Sequence, residues 1–169
     1  MQRLILLRHG KAESTSASGG DAERRLTDRG HRESALIGRM LAEADFVPDC
    51  ALVSTARRTR ETWDEAARAF PSARAEDNQR LYLASRDEIG QVLARVSDKV
   101  HSLMVVGHNP GLHEFALSCL DRKSPGHKDA ERMLASFPTA AAAVFSADPK
   151  GGWRLERVLT PRDFDGRAA

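Results

Sequence analysis

The sequence carries no excess of charge of one sign. Its 26 Lys and Arg stand against 24 Asp and Glu, a net charge of +2, so it has no strong long-range field and its composition gives nucleic-acid binding no support. Cysteine is scarce: Cys50 and Cys119 lie far apart, each beside apolar residues. They read as reduced core thiols, which argues against a disulfide framework or a metal knuckle and suits a cytoplasmic protein. Long apolar runs are missing too. Leu4-Ile5-Leu6-Leu7, the one run near the N-terminus, is too short for a signal-peptide core or a bilayer span, so neither export nor membrane attachment is expected. There is no internal repeat and no low-complexity segment. What remains, 169 residues of which 41% are hydrophobic, fits a single domain over 1–169 that can bury a core.

Arg3 to Leu7 is a continuous apolar run ending in Arg8-His9-Gly10. That is the pattern of a buried strand with polar groups at its C-terminal end, where open α/β sheets carry their chemistry. Residues 14–23, small, polar and turn-forming, read as an exposed loop beside it. Ala35, Leu36, Met40 and Leu41 recur at helical spacing and predict a helix over about 27–44, capped by Thr27 or Asp28. Ala51-Leu52-Val53 predicts a second strand, followed by a polar turn and a helix to about Phe70 that Pro71 closes. Ile89, Val92, Leu93 and Val96 predict a helix over about 85–96. Leu103 to Val106 is a third buried strand, ending in Gly107-His108-Asn109-Pro110 ahead of a helix over about 112–120.

Residues 121–131, charged and broken by Pro125-Gly126, read as a solvated loop or lid. Ala141–Phe145 and Trp153–Leu159 read as two last strands joined by a turn at 148–152, the second with one wetter face. The expected fold is α/β: a single-domain three-layer α/β/α sandwich with a mostly parallel central sheet.

A phosphoryl-transfer pocket needs a nucleophile and fixed positive charge around the three oxygens that gather charge in the transition state. Arg8 and His9 supply one of each from one strand end: a guanidinium fork holds two phosphate oxygens, and an imidazole can attack phosphorus. Gly10 lets the backbone approach a ligand or turn sharply. Ser54 to Thr62 opens a helix just after a buried strand, and a helix start favours anions. Among its cations, Arg57 and Arg60 read as a solvated face. Gly107-His108-Asn109-Pro110-Gly111 repeats the arrangement and offers a second histidine as a donor to a phosphate oxygen. His31, His101, His113 and His127 read as solvated or capping, Lys11 as exposed, and Trp63 and Trp153 as packing.

These motifs together resemble the histidine phosphatase superfamily, in its phosphoglycerate-mutase-like branch, and within it the SixA-type phosphohistidine phosphatases. Leu6-Leu7-Arg8-His9-Gly10-Lys11-Ala12-Glu13 is similar to the family's opening signature, and Leu26-Thr27-Asp28-Arg29-Gly30 to its Leu-Thr-x-x-Gly helix entry. Ser54, Arg58 and Thr62 match its Ser-x-x-x-Arg-x-x-x-Thr element, and Val105 to Pro110 its second-histidine motif. Leu81-Tyr82-x-Ala84, Phe137-Pro138-Thr139-Ala140 and Leu159-Thr160-Pro161-Arg162 echo the SixA type. The resemblance implies His9 as nucleophile and phosphoryl carrier. It implies a phosphate pocket of Arg8, Arg58 and His108, with backbone N–H groups near Gly10 and Asn109 as additional donors. It places Arg58, rather than Arg57 or Arg60, in that pocket. It implies no metal and no cofactor, because guanidinium and imidazolium groups supply the charge a cation would bring, and it implies a phosphorylated substrate such as a histidine-phosphorylated signalling protein.

One departure is informative. The mutases carry a glutamate between the pocket arginine and the second histidine that protonates the leaving oxygen. Here Glu76, Asp77, Asp87 and Glu88 fall in that interval and read as solvated charges. Lack of a strong acid favours a protonated phosphohistidine, which releases a neutral imidazole, over a phosphate ester, which releases an alkoxide. A small-molecule phosphomonoesterase is the alternative if one of the four carboxylates reaches the leaving group. A phosphate-binding module without turnover is the alternative of another class, and the presence of both His9 and His108 counts against it.

Overall fold

The computed structural model of the chain describes residues 1–17, 19–120 and 127–165. Six strands form one sheet: β1 (Arg3–Arg8), β2 (Cys50–Ser54), β3 (Arg74–Asn78), β4 (Ser102–Gly107), β5 (Ala142–Ala147) and β6 (Trp153–Leu159), in the order β3-β2-β4-β1-β5-β6. The first four in that order run parallel, β5 pairs antiparallel with β1, and β6 pairs antiparallel with β5. Parallel strands covered on both faces are apolar throughout rather than alternating. β4 is buried along its whole length and β1 at its four inner residues.

Side chains alternate between the two faces of a strand, so β1 feeds two cores. Ile5 and Leu7 pack with Ile37, Leu41, Trp63 and Phe70 under α1 (Asp28–Glu43) and α2 (Arg57–Ala66). Leu4 and Leu6 pack with Ile89, Val92, Leu112 and Ala116 under α3 (Arg86–Leu93) and α4 (Gly111–Ser118). These are the three layers the sequence predicts. α1 starts where expected, the Thr27 hydroxyl accepting from the Gly30 N–H at 3.1 Å, and α3 starts in a capping box between Ser85 and Glu88.

The structure departs from the sequence reading in three places. β3, Arg-Ala-Glu-Asp-Asn, has no apolar alternation and was not expected; backbone pairing to β2 along one edge makes it a strand while four of its five residues stay exposed. His127 to Glu131, read as part of a loop, opens α5 (His127–Met133), and the rest of that loop, 121–126, lies outside the described residues. The helix after β2 stops at Ala66, and a 3-10 turn over Ala67–Ala69 carries the chain to Phe70. A last short helix, α6, spans Arg162–Asp165. Among the described residues no helix is long and apolar enough to cross a membrane. Cys50 and Cys119 are free thiols, both half-buried.

Candidate active site

Because β2, β4 and β1 are adjacent and parallel, their C-terminal ends deliver Ser54, His108 and Arg8-His9 to one place. The cleft there, of about 340 Å³, is lined by Arg8, His9, Lys11, Asp21, Arg24, Arg58, Leu83, His108, Asn109 and Thr139, together with Ala12. Arg8, His9, Arg58, His108 and Asn109 are therefore brought together as expected. The His9 and His108 ring centroids are 5.3 Å apart.

His9 is held in one tautomer. Its Nδ1 lies 2.8 Å from the Gly10 carbonyl, which can only accept, so Nδ1 carries the proton and Nε2 keeps its lone pair. Burial, and then the nearby Arg58 and Arg8 charges, push its pKa from the ordinary 6.5 down to about 4, which keeps the ring neutral at pH 7. His108 is the mirror case. Arg58 Nη2 lies 3.2 Å from its Nδ1 and can only donate, so Nε2–H donates to Ser54 Oγ at 2.7 Å. Burial first, with His9 and Arg58 adding to it, pushes His108 down to about 3. A phosphoryl dianion in the cleft would oppose those charges and favour His108 as a two-proton donor.

Arg58 is 1% exposed, the largest side chain in the fully buried set. Its Nη1 donates to the Asp21 carbonyl at 2.8 Å and its Nη2 to Asp21 Oδ2 at 3.0 Å, whereas Nε has no protein partner. Arg8 repeats the pattern: Nη1 donates to the Phe137 carbonyl at 2.8 Å, and Nε is buried without a partner. Two buried guanidinium N–H groups left over beside one cleft are what an oxyanion would satisfy. Arg57 pairs with Glu61 and Arg60 with Asp77, both half-exposed, so burial separates Arg58 from its neighbours as the motif implies.

Gly10 does something other than expected. Its N–H donates to Thr62 Oγ1 at 2.9 Å and is not free for phosphate, while Thr62 Oγ1 donates in turn to the Arg58 carbonyl. A Cβ on Gly10 would come within 2.6 Å of Ser34 Oγ and 2.8 Å of the Gly30 carbonyl. The close approach is to α1, not to a ligand. One on Gly30 would reach 2.1 Å from the Lys11 carbonyl, so both motif glycines are required where the strand end and the start of α1 touch. Asn109 lines the cleft, its side-chain amide donating to the Phe137 carbonyl at 3.0 Å.

None of the four carboxylates weighed as an acid lines the cleft. Asp77 pairs with Arg60 at 2.7 Å, Glu88 caps α3, Asp87 lies against Arg86, and Glu76 lines a separate groove with Cys50. The residue sequence reasoning missed is Asp21. The Tyr82 hydroxyl donates to it at 2.8 Å, and this bond, with Arg24 and Arg58, holds its carboxyl at about 2. In the sequence it is one more acid in a small, polar loop, and nothing local marks it. Tyr82 and Thr139 belong to short segments that the family resemblance flags without giving them a role. Of the other histidines, His31 bonds Glu65, and His113 bonds the Leu134 carbonyl and stacks on Phe137. Among the described residues no three His, Cys, Asp or Glu side chains are grouped to hold a metal ion.

Known proteins resemble this chain in sequence and in fold. The family model described as the histidine phosphatase superfamily, branch 1, matches residues 4–82. An uncharacterized protein of Mycobacterium tuberculosis is 34% identical over 138 residues, 82% of this chain and 85% of its own length. The fold is similar to that of the "putative phosphohistidine phosphatase SixA" of Agrobacterium tumefaciens, with a TM-score of 0.82 and 30% identity over 95% of this chain and 98% of that one. A protein of the same description from Nakamurella multipartitia gives a TM-score of 0.81 and 27% identity over 95% of this chain and 96% of its own.

Proposed function

The chain belongs to the histidine phosphatase superfamily, and from that premise we propose that it removes the phosphoryl group from a phosphohistidine on another protein, through a covalent intermediate on His9. It is a metal-independent hydrolase of phosphohistidine or phosphomonoesters. The neutral Nε2 of His9 attacks phosphorus. The bond from phosphorus to the substrate's ring nitrogen breaks, its electron pair stays on that nitrogen, and the ring, protonated at its other nitrogen, leaves as neutral imidazole. Water then attacks phosphorus on His9, inorganic phosphate departs, and the Nε2 lone pair is restored. Arg8, Arg58 and His108 hold the three oxygens through both steps, and the bonds from Asp21 and Ser54 keep Arg58 and His108 in position.

Asp21 is the observation that carries nitrogen over oxygen as the leaving atom. It is the one carboxylate lining the cleft among the described residues, and its three donors keep it ionised near neutral pH. An ionised carboxylate cannot protonate an alkoxide. The partner would be a histidine-phosphorylated signalling protein in a reducing, cytoplasmic compartment, where the free thiols of Cys50 and Cys119 persist.

The test is hydrolysis, with chelator present, of a histidine-phosphorylated protein and of an aryl phosphate, by the intact protein and by His9→Ala. The expected result is faster turnover of the phosphohistidine, abolished in the variant. Preference for the ester would move the function to a small-molecule phosphomonoesterase, and unchanged turnover by His9→Ala would end the covalent route.

A further inference from the structure

The segment from Leu81 to Ser85 is pinned at both ends. Leu81 and Ala84 are buried in the core under α3 and α4. Gly111 closes on Ala84 so tightly that a Cβ there would come within 1.8 Å of the Ala84 carbonyl, and Ser85 caps α3. Two residues bridge these anchors. Tyr82 is held on both sides, its hydroxyl donating to Asp21 and its ring edge-on to His108 at 5.7 Å. Leu83 is turned outward into the cleft lining through a left-handed backbone, φ +50°. It is 57% exposed, more than any other large hydrophobic residue described.

A glycine or asparagine makes such a turn at least steric cost. A leucine adds the cost of a left-handed backbone and of bare apolar surface, and strained residues of this kind cluster at functional sites. The rest of the lining is almost wholly polar: Arg8, Lys11, Arg24 and Arg58 bring positive charge, and beside Leu83 the other aliphatic residue is Ala12, which has little reach. An in-line displacement places the leaving group on the far side of phosphorus from the nucleophile. His9 is half-buried and Leu83 is an exposed part of the same lining, so a leaving group that departs from the nucleophile toward solvent passes the part of the lining to which Leu83 belongs. An imidazole offers flat C–H surface as well as nitrogen, and the fixed charges serve only the phosphoryl group.

We propose that Leu83 is a specificity-determining residue, the apolar wall against which the ring of the leaving group lies. In this form it rests on the phosphohistidine reading above. It selects flat, ring-bearing leaving groups over small polar ones that carry the same phosphoryl group.

The experiment compares intact protein, Leu83→Gly and Leu83→Met on three substrates: a histidine-phosphorylated protein, an aryl phosphate, and phosphoramidate, which has a phosphorus–nitrogen bond and no ring. Glycine accepts the backbone conformation without strain, so melting temperature should hold or rise. Leu83→Gly should lose about tenfold in kcat/KM on both ring-bearing substrates, chiefly through KM, the size expected when an apolar contact is removed. Phosphoramidate should stay within about twofold, and Leu83→Met should recover most of the loss because it keeps the apolar reach. Equal loss on all three substrates would make Leu83 a structural part of the loop, and no loss on any would remove it from the site; either overturns the proposal. Should intact protein fail on the phosphohistidine, the reading of the substrate falls, and the ratio of aryl phosphate to phosphoramidate still decides Leu83: a selective loss upholds the apolar wall, and none overturns it.

Discussion

β4 and β3 lie on either side of β2 in one sheet, parallel to it and nearly equal in length, yet one builds the cleft and the other stays out of it. β4 is buried at every residue and passes directly into His108, 3% exposed. β3 is exposed at four of five residues, and its Glu76 and Asp77 point away from the cleft, Asp77 into an ion pair with Arg60. Cover on both faces and both edges takes water from the end of β4, so the polar groups there must find fixed partners and their protonation shifts. At the sheet edge, water supplies what the carboxylates need. The same backbone geometry thus yields a positioned donor in one place and a solvated charge in the other, and substitutions should separate the two.

The largest effect is expected from Arg58→Ala, at the covered end of the sheet. It removes a buried guanidinium and should lower kcat/KM on the order of 10²- to 10³-fold, about 3–4 kcal/mol of transition-state stabilisation. Steady-state kinetics showing a loss under about fivefold, or a greater loss in Arg57→Ala, would place the phosphate elsewhere.

Next is the pH dependence of stability. The unfolded chain protonates its histidines near 6.5, whereas His9 and His108 in the fold do so only at about 4 and about 3. Between those values the unfolded state binds more protons, so stability must fall as pH drops from 6.5 toward 4, on the order of 3 kcal/mol for each histidine. Denaturant titrations at several pH values check it, and His108→Ala should flatten the slope. A slope unchanged in the variant would mean that His108 is solvated.

Smaller again is Ser54→Ala, which strips His108 Nε2 of its buried partner. It should cost about 1–2 kcal/mol in catalysis, read as a drop in kcat with KM little changed. On the exposed side of the comparison, Glu76→Gln and Asp77→Asn should each leave kcat/KM within about twofold, as surface changes do. A tenfold loss in either would put an acid from β3 into the reaction and erase the contrast.

How much of this was legible follows the same contrast. The covered strands announce themselves as apolar runs, and the polar residues at the ends of β1 and β4, Arg8, His9 and His108, are brought to the cleft. The register of Arg58 was legible only from motif spacing, since Arg57, Arg58 and Arg60 are equivalent by type; burial distinguishes them. β3 was invisible because pairing, not side-chain burial, makes it a strand. Asp21 was invisible because two of its three partners, Arg58 and Tyr82, come from 37 and 61 residues away, and the third, Arg24, looks like any surface ion pair in a solvated turn. Gly10 was legible as a constrained glycine, but its neighbour is Gly30 at the start of α1 and not a ligand, a contact between a strand end and a helix that spacing does not show.

The most direct test of the central claim is to mix the protein with a radiolabelled phosphohistidine substrate, stop the reaction within a turnover, and locate the label. The account predicts an acid-labile, base-stable phosphoryl group on the intact chain, mapped to His9 and missing from His9→Ala. Turnover with no labelled chain, or label on another residue, would contradict it.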